Sequence, residues 1–126
     1  MSKTVILIDD DQDDLDLMKE TITKIDPAIF CISFIYPDEA LRVVNRELAF
    51  IPDYIFIDIN MRRLTGDKLL KEFRTNKALD NVVITMFSTS MPSTVSQALK
   101  DSGADFTFQK PSKVNEYPKV LSSILL

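Results

Sequence analysis

The stretch that decides the fold is YIFID at residues 54–58, four apolar or aromatic residues followed by Asp58. A short apolar run of this kind is typical of a parallel strand that is covered on both faces by helices. The same pattern occurs at residues 5–8, VILI, which are followed by Asp9 and Asp10. The sequence therefore predicts two buried strands that each end at carboxylates.

Outward from these two runs, short apolar segments alternate with segments of helical periodicity. The predicted strands cover residues 5–8, 30–36, 54–57, 82–87 and 105–108. The first predicted helix carries Leu15, Met18, Ile22 and Ile25 on one face, and four further helices are predicted at residues 38–48, 67–75, 93–102 and 114–126. Five β/α units predict an α/β fold, a doubly wound five-stranded parallel sheet.

The composition is that of one soluble globular domain, residues 1–126, with 45% hydrophobic and 27% charged residues. No apolar run has the roughly 18–20 residues that a membrane span requires, and the N-terminus does not resemble a secretion signal. Cys31 is the only cysteine, so no internal disulfide can form. These observations favour a cytoplasmic protein without a membrane partner.

The composition argues against several classes of function. Without histidine there is no catalytic triad and no histidine-ligated zinc. With only Gly66 and Gly103 there is no glycine-rich nucleotide loop. A net charge of −4 argues against direct binding to nucleic acid.

Ligands of doubly wound folds bind beyond the carboxyl ends of the strands, and the strand ends of this chain carry chemically active groups. They are Asp9 and Asp10 after the first strand, Asp58 after the third, Ser88 and Thr89 after the fourth, and Lys110 after the fifth. Converging carboxylates repel one another, and a hard divalent cation such as Mg²⁺ relieves the repulsion. An ammonium and a hydroxyl beside a carboxylate nucleophile then predict a site for a phosphoryl group.

Aspartates that follow strands also cap helices, and Asp11 or Asp13 is expected to do so here. Capping does not account for the whole set, because Asp58 and the Lys110-Pro111 pair occur in separate β/α units. The combination therefore favours a functional site.

In these motifs the chain resembles, from end to end, the bacterial two-component response-regulator receiver domain of the single-domain chemotaxis-regulator type. The resemblance rests on residues 7–11, LIDDD, on residues 54–61, YIFIDINM, and on the Ser88-Thr89 pair. It also rests on residues 108–111, FQKP, and on Gly66 in the loop after the third strand. It implies the flavodoxin-like (βα)5 fold with strand order 2-1-3-4-5.

The resemblance also implies a role for each site residue. Asp58 would accept the phosphoryl group, Lys110 would pair with it, and the Ser88 hydroxyl and Thr89 backbone N–H would bind its oxygens. The metal, Mg²⁺ with Mn²⁺ as an alternative, would be held by Asp9, Asp10, Asp58 and the backbone carbonyl of Asn60. The Lys110–Pro111 bond would be cis, as X–Pro bonds can be.

The sequence departs from the family pattern at two places, in the loop after the third strand and in the fifth strand. Arg62 and Arg63 follow Met61 where a proline is usual. Thr107 stands where the family has a switching aromatic, and strand alternation predicts that Phe106 and Phe108 point towards the core.

As the resemblance implies, the chain would be a phosphoprotein and not an enzyme in the ordinary sense: it would catalyse only its own phosphotransfer and slow autodephosphorylation. Its partners would be a sensor histidine kinase or histidine phosphotransfer protein and a downstream protein of the phosphorelay. We expect no output domain after Leu126, and exposed apolar residues on the last helix would permit a homodimer.

Two alternatives stay open. A Mg²⁺-dependent phosphatase of the haloacid-dehalogenase kind also uses an aspartate at a strand end, but it requires a second aspartate where Asn60 stands. A binding module that no longer uses phosphate would fit the missing aromatic at Thr107, although it would not explain why the other site positions are filled.

Overall fold

A computed structural model describes residues 3–126 and forms one parallel sheet. Its strands are β1 (Thr4–Ile8), β2 (Phe30–Phe34), β3 (Tyr54–Asp58), β4 (Val83–Ser88) and β5 (Phe106–Gln109). The strand order is β2-β1-β3-β4-β5, as the resemblance implied. The order reverses between β1 and β3, and this is where a doubly wound sheet opens a crevice beyond its carboxyl edge.

The helices alternate with the strands along the chain. They are α1 (Gln12–Ile25), α2 (Pro37–Arg42), α3 (Gly66–Thr75), α4 (Ser93–Asp101) and α5 (Tyr117–Leu125). A π-helical turn at Val43–Glu47 extends α2, and short 3₁₀ turns at Lys77–Leu79 and Val114–Glu116 precede β4 and α5. The predicted α/β class and the five β/α units are confirmed.

The sheet separates two hydrophobic layers, and strand alternation sorts the side chains between them. In β1, Val5 and Leu7 face the layer that α1 and α5 cover, whereas Ile6 and Ile8 face the other layer. All four side chains are completely buried. Truncating one of them to alanine would cost about 2–5 kcal/mol, so the strand that directly precedes Asp9 is firmly held.

Helix α1 begins directly beside the carboxyl edge of the sheet because Asp11 caps it. The Asp11 carboxylate accepts hydrogen bonds from the backbone N–H groups of Asp13 and Asp14, at 3.0 and 3.4 Å. The expected N-cap is therefore confirmed for Asp11, and it fixes the first turn of α1 next to Asp9 and Asp10.

Two predicted helices are less regular than their apolar periodicity indicated. The segment predicted as one helix at residues 38–48 is α2 followed by the π-helical turn, which ends at Glu47. The segment predicted at residues 114–126 begins with the 3₁₀ turn, and α5 has Pro118 in its first turn. Periodicity does not distinguish these backbone variants, since all of them place side chains on one face.

The prediction for the fifth strand is wrong in one respect. Phe106 was expected to point towards the core, but its side chain is 43% exposed. Strand β5 lies at the edge of the sheet, and only Phe108 is covered, by a stacked contact with Phe87 at 5.4 Å between ring centroids. Strand alternation predicts the face of the sheet on which a side chain lies. It does not predict whether other residues pack over that face at an edge strand.

Candidate functional site

The carboxyl edge of the sheet brings three carboxylates together between β1 and β3. Asp9 and Asp10 follow β1, and Asp58 is the last residue of β3. Each offers an oxygen within 4.8 Å of the other two. Asp9 is completely buried and Asp58 nearly so, whereas Asp10 is partly exposed.

This burial changes the acidity of the two inner groups. It raises the pKa of Asp9 to about 7, with an opposing contribution from the Asp11 backbone N–H and a further increase from the charge of Asp58. Burial likewise raises the pKa of Asp58, although the charge of Lys110 acts in the opposite direction. Both shifts arise because a buried carboxylate loses hydration that favours its charged form.

Lys110 follows β5 and its ammonium group reaches into the acidic cluster. Its Nζ lies 2.7 Å from an oxygen of Asp14, 3.1 Å from Asp9 and 3.6 Å from Asp58. Its backbone N–H donates to the Ser88 carbonyl at 2.7 Å, and its Nζ lies 5.2 Å from the centroid of the Phe87 ring. The backbone of Lys110 is therefore held by Ser88, and its ammonium group lies among three carboxylates.

The hydroxyl at the end of β4 is also near the cluster. Ser88 is buried, and its Oγ accepts a hydrogen bond from the side-chain amide of Asn60 at 2.9 Å. The Asn60 backbone N–H lies 3.4 Å from an Asp58 oxygen. Thr89 follows on the surface. The structure therefore links Ser88 to Asp58 through Asn60 and leaves Thr89 at the rim.

The loop after β3 is held close to Asp58 by a glycine. A Cβ atom on Gly66 would lie 2.3 Å from the Asp58 carbonyl oxygen and 2.7 Å from Ile59 Cα, so no larger residue fits. The Gly66 N–H donates to the Ile59 carbonyl at 2.8 Å. In the same loop the Arg62 backbone N–H donates to Asp10 at 3.0 Å.

Thr107, at the position of the family's switching aromatic, faces helix α4. Its hydroxyl forms a hydrogen bond of 2.6 Å with the Ser96 hydroxyl. Thr107 therefore contacts helix α4 through a hydroxyl group, where the family pattern would place an aromatic ring.

One polar contact of the site was missed by the sequence reasoning, namely that of Asp14. Its position was a signal, because Asp14 is four residues before the buried Met18 and so lies on the inner face of α1. The predicted site residues all end or follow strands, whereas Asp14 belongs to helix α1.

The expected cis bond at Lys110–Pro111 is wrong, because no peptide bond within residues 3–126 is cis. The trans form is the ordinary preference of X–Pro bonds, by about 0.5–1 kcal/mol.

The site fits a hard divalent cation. The three carboxylates each offer an oxygen within 4.8 Å of the other two, and clustered carboxylate oxygens are ligands that Mg²⁺ prefers. All the candidate ligands are oxygens, and two belong to buried acids whose pKa is raised mainly by lost hydration and to a smaller extent by a neighbouring carboxylate. Asp9, Asp10 and Asp58 could therefore hold such an ion.

Comparison with known proteins agrees with this fold. Residues 5–122 match the model of the response regulator receiver domain family, and the chain belongs to that family. Two curated relatives match most of this chain. They are the stress response regulator protein 1 of Clavispora lusitaniae, 26% identical over 90% of the chain, and the probable C4-dicarboxylate response regulator DctR of Bacillus subtilis, 27% identical over 93%.

The chain spans only 56% and 50% of the lengths of these two relatives. It covers similar solved structures more fully. The phosphorylated cyanobacterial phytochrome response regulator RcpA has a TM-score of 0.89 at 20% identity, over 98% of this chain and 91% of that one. Chemotaxis response regulator CheY4 of Vibrio cholerae has a TM-score of 0.83 at 24% identity, over 99% and 100%. The Mn²⁺-bound response regulator Rcp1 has a TM-score of 0.85 at 18% identity, over 97% and 90%.

These likenesses establish the flavodoxin-like fold that the sequence predicted. Within residues 3–126, no helix is both long enough and apolar enough to cross a bilayer.

Proposed function

We propose that the chain is a phosphoacceptor signalling domain of a two-component phosphorelay and that Asp58 accepts the phosphoryl group. The observation that carries this proposal is a buried carboxylate at the switch point of the sheet, close to two further carboxylates and an ammonium group. Membership of the receiver family supports the same role.

The donor would be a phosphohistidine of a sensor histidine kinase or of a histidine phosphotransfer protein. An oxygen of Asp58 forms a bond to phosphorus, the bond between phosphorus and the imidazole nitrogen breaks, and the nitrogen retains the electron pair. The donor phosphohistidine carries a proton on its second ring nitrogen, so the products are an aspartyl phosphate and a neutral histidine. Lys110 offsets the negative charge that arrives, because its ammonium group is already 3.6 Å from Asp58.

A bound Mg²⁺ ion, or Mn²⁺ in its place, would supply further positive charge to the phosphoryl oxygens. Asp9, Asp10 and Asp58 would hold it, together with the backbone carbonyl of Asn60. The Mn²⁺-bound structure of Rcp1 supports a divalent metal in a protein of similar fold.

Phosphorylation would be sensed through Ser88. Its hydroxyl would leave the Asn60 amide and donate to a phosphoryl oxygen, while the backbone N–H of Thr89 would bind a second oxygen. This movement would be read at α4 and β5, where Thr107 contacts Ser96. A downstream protein partner would bind the altered face, or two copies of the chain would associate as a homodimer.

We further propose that residues 1–126 act as one receiver domain in the cytoplasm and catalyse no turnover beyond their own phosphorylation and slow dephosphorylation. The phosphatase alternative is disfavoured, because Asn60 occupies the position of the required acid and its amide contacts Ser88. Sustained turnover of a chromogenic phosphate ester would reverse that preference.

The direct test is to incubate the protein with acetyl phosphate and Mg²⁺ and to measure its intact mass. We expect a gain of one phosphoryl group, which disappears with EDTA and in Asp58→Asn. A chain that gains no phosphoryl group would refute the proposal, and a gain that persists in Asp58→Asn would refute the assignment of Asp58.

A further inference from the structure

Lys110 is closer to Asp14 than to the phosphoacceptor. Its Nζ lies 2.7 Å from the Asp14 carboxylate but 3.6 Å from that of Asp58, beyond hydrogen-bond distance. The same Nζ lies 3.1 Å from a carboxylate oxygen of Asp9. The ammonium group therefore makes its shortest contact with a residue that is not needed to bind phosphate or metal.

The position of Asp14 makes this contact durable. Asp14 lies in the first turn of α1, which the Asp11 cap fixes, and its side chain is only 27% exposed. The side chain of Lys110 is 10% exposed. A pair with this little contact with water is less screened than a surface ion pair, and the hydrogen bond between charged groups is short.

We propose that Asp14 is a positioning residue that holds Lys110 away from Asp58 and so slows phosphorylation. The inference rests on the proposed function. When a phosphoryl group is transferred to Asp58, the Lys110 ammonium must turn from Asp14 towards the new phosphoryl oxygens. Asp14 competes with those oxygens for the same donor, so its carboxylate raises the barrier to phosphorylation.

The charge state of Lys110 is consistent with this competition. Burial alone would lower the pKa of Lys110, but the hydrogen bond to Asp14 and the charges of Asp9 and Asp58 raise it above its ordinary value. The lysine is therefore a permanent cation, and what varies is which carboxylate it faces.

The chain offers a matched control for the effect of charge. Asp13 lies in the same turn of α1, and its side chain is exposed and contacts no part of the acidic cluster. Asp13→Asn and Asp14→Asn each remove one negative charge from the same turn. Only Asp14→Asn removes the acceptor of Lys110.

The experiment measures the initial rate of phosphoryl gain by intact mass, with acetyl phosphate and saturating Mg²⁺. We expect Asp14→Asn to raise the rate by about threefold or more, a size typical of a partly exposed ion pair. Asp13→Asn should leave it unchanged, and Asp14→Glu, which keeps the carboxylate, should stay near the rate of the unaltered protein. Equal rates for Asp14→Asn and Asp13→Asn, or an Asp14→Glu rate as high as that of Asp14→Asn, would overturn the inference.

A double-mutant cycle tests whether Asp14 acts through Lys110. In the Lys110→Ala background, Asp14→Asn should no longer change the rate. An undiminished acceleration there would show that Asp14 acts by its charge alone and would overturn the positioning role. The proposed function fails separately, since it fails only if the unaltered protein gains no phosphoryl group.

Discussion

Asp53 and Asp58 flank the same strand, β3, yet they lie in opposite surroundings. Asp53 precedes the strand and is exposed, and its carboxylate accepts the Thr4 backbone N–H at 2.8 Å. Asp58 ends the strand, is buried, and faces Asp9, Asp10 and Lys110. One aspartate therefore satisfies the backbone at the amino edge of the sheet, and the other belongs to a charged cluster at the carboxyl edge.

A second pair shows the same contrast with positive charges. Arg74 is fully engaged, because it donates to the carbonyls of Gly103, Leu79 and Val82 and to Asp105, at 2.9–3.0 Å. The hydrogen-bond and ion-pair partners of the Lys110 ammonium are all carboxylates. Arg74 stabilises loops by filling backbone acceptors, whereas Lys110 can exchange partners without leaving a carbonyl unsatisfied.

The largest expected difference is between the two aspartates of β3. Asp58→Asn should abolish phosphoryl gain from acetyl phosphate, because the nucleophilic oxygen is lost. Asp53→Asn should leave the rate of gain unchanged and cost about 1 kcal/mol of stability through a weakened hydrogen bond. Intact mass and urea unfolding of both variants check this, and loss of phosphorylation in Asp53→Asn would break the comparison.

The two cations should differ next. Arg74→Met should lower the free energy of unfolding by about 2–4 kcal/mol, because three carbonyls and Asp105 lose their donor. Mg²⁺ should not restore this loss. Lys110→Met leaves like charges together, and Mg²⁺ should offset much of its destabilisation. Urea unfolding of each variant with Mg²⁺ and with EDTA provides the measurement, and equal rescue of both variants would count against the distinction.

A smaller effect follows from the acidity of Asp9. Its pKa rises on folding from 3.8 to about 7, so the folded state binds more protons than the unfolded state across that interval. In EDTA, the contribution of Asp9 to stability should therefore be greatest below the lower value and be lost as the pH rises towards the higher one. Asp9→Asn should flatten this decline by about 1 kcal/mol or more. Thermal unfolding of both proteins in EDTA across that pH range tests the sign, and an Asp9→Asn variant that gains no stability relative to the unaltered protein as the pH rises would contradict it.

The smallest effect concerns the contact between β5 and α4. Thr107→Val keeps the shape of the side chain and removes the hydroxyl that bonds to Ser96. We expect a loss of about 0.5–1.5 kcal/mol and an unchanged rate of phosphoryl gain. Ser96→Ala serves as the matched change on the other partner. A lowered phosphorylation rate in either variant would mean that this contact belongs to the reacting site.

The sequence predicted the fold because the strand segments are continuous apolar runs. The apolar runs that end at Ile8 and Ile57 admit little besides buried parallel strands, and their ends locate the acidic cluster. The contacts between elements were less accessible. The exposure of Phe106 depends on the edge position of β5, and the bond from Lys110 to Asp14 depends on the rotation of α1, which strand-end reasoning does not include.

The identity of the phosphoacceptor tests the central claim most directly. After reaction with acetyl phosphate and Mg²⁺, borohydride reduces an aspartyl phosphate to homoserine, and peptide sequencing then locates the altered residue. We expect homoserine at position 58 alone, with Asp53 at the other end of β3 unchanged. Homoserine at Asp9, Asp10 or Asp53, or at no position, would contradict it.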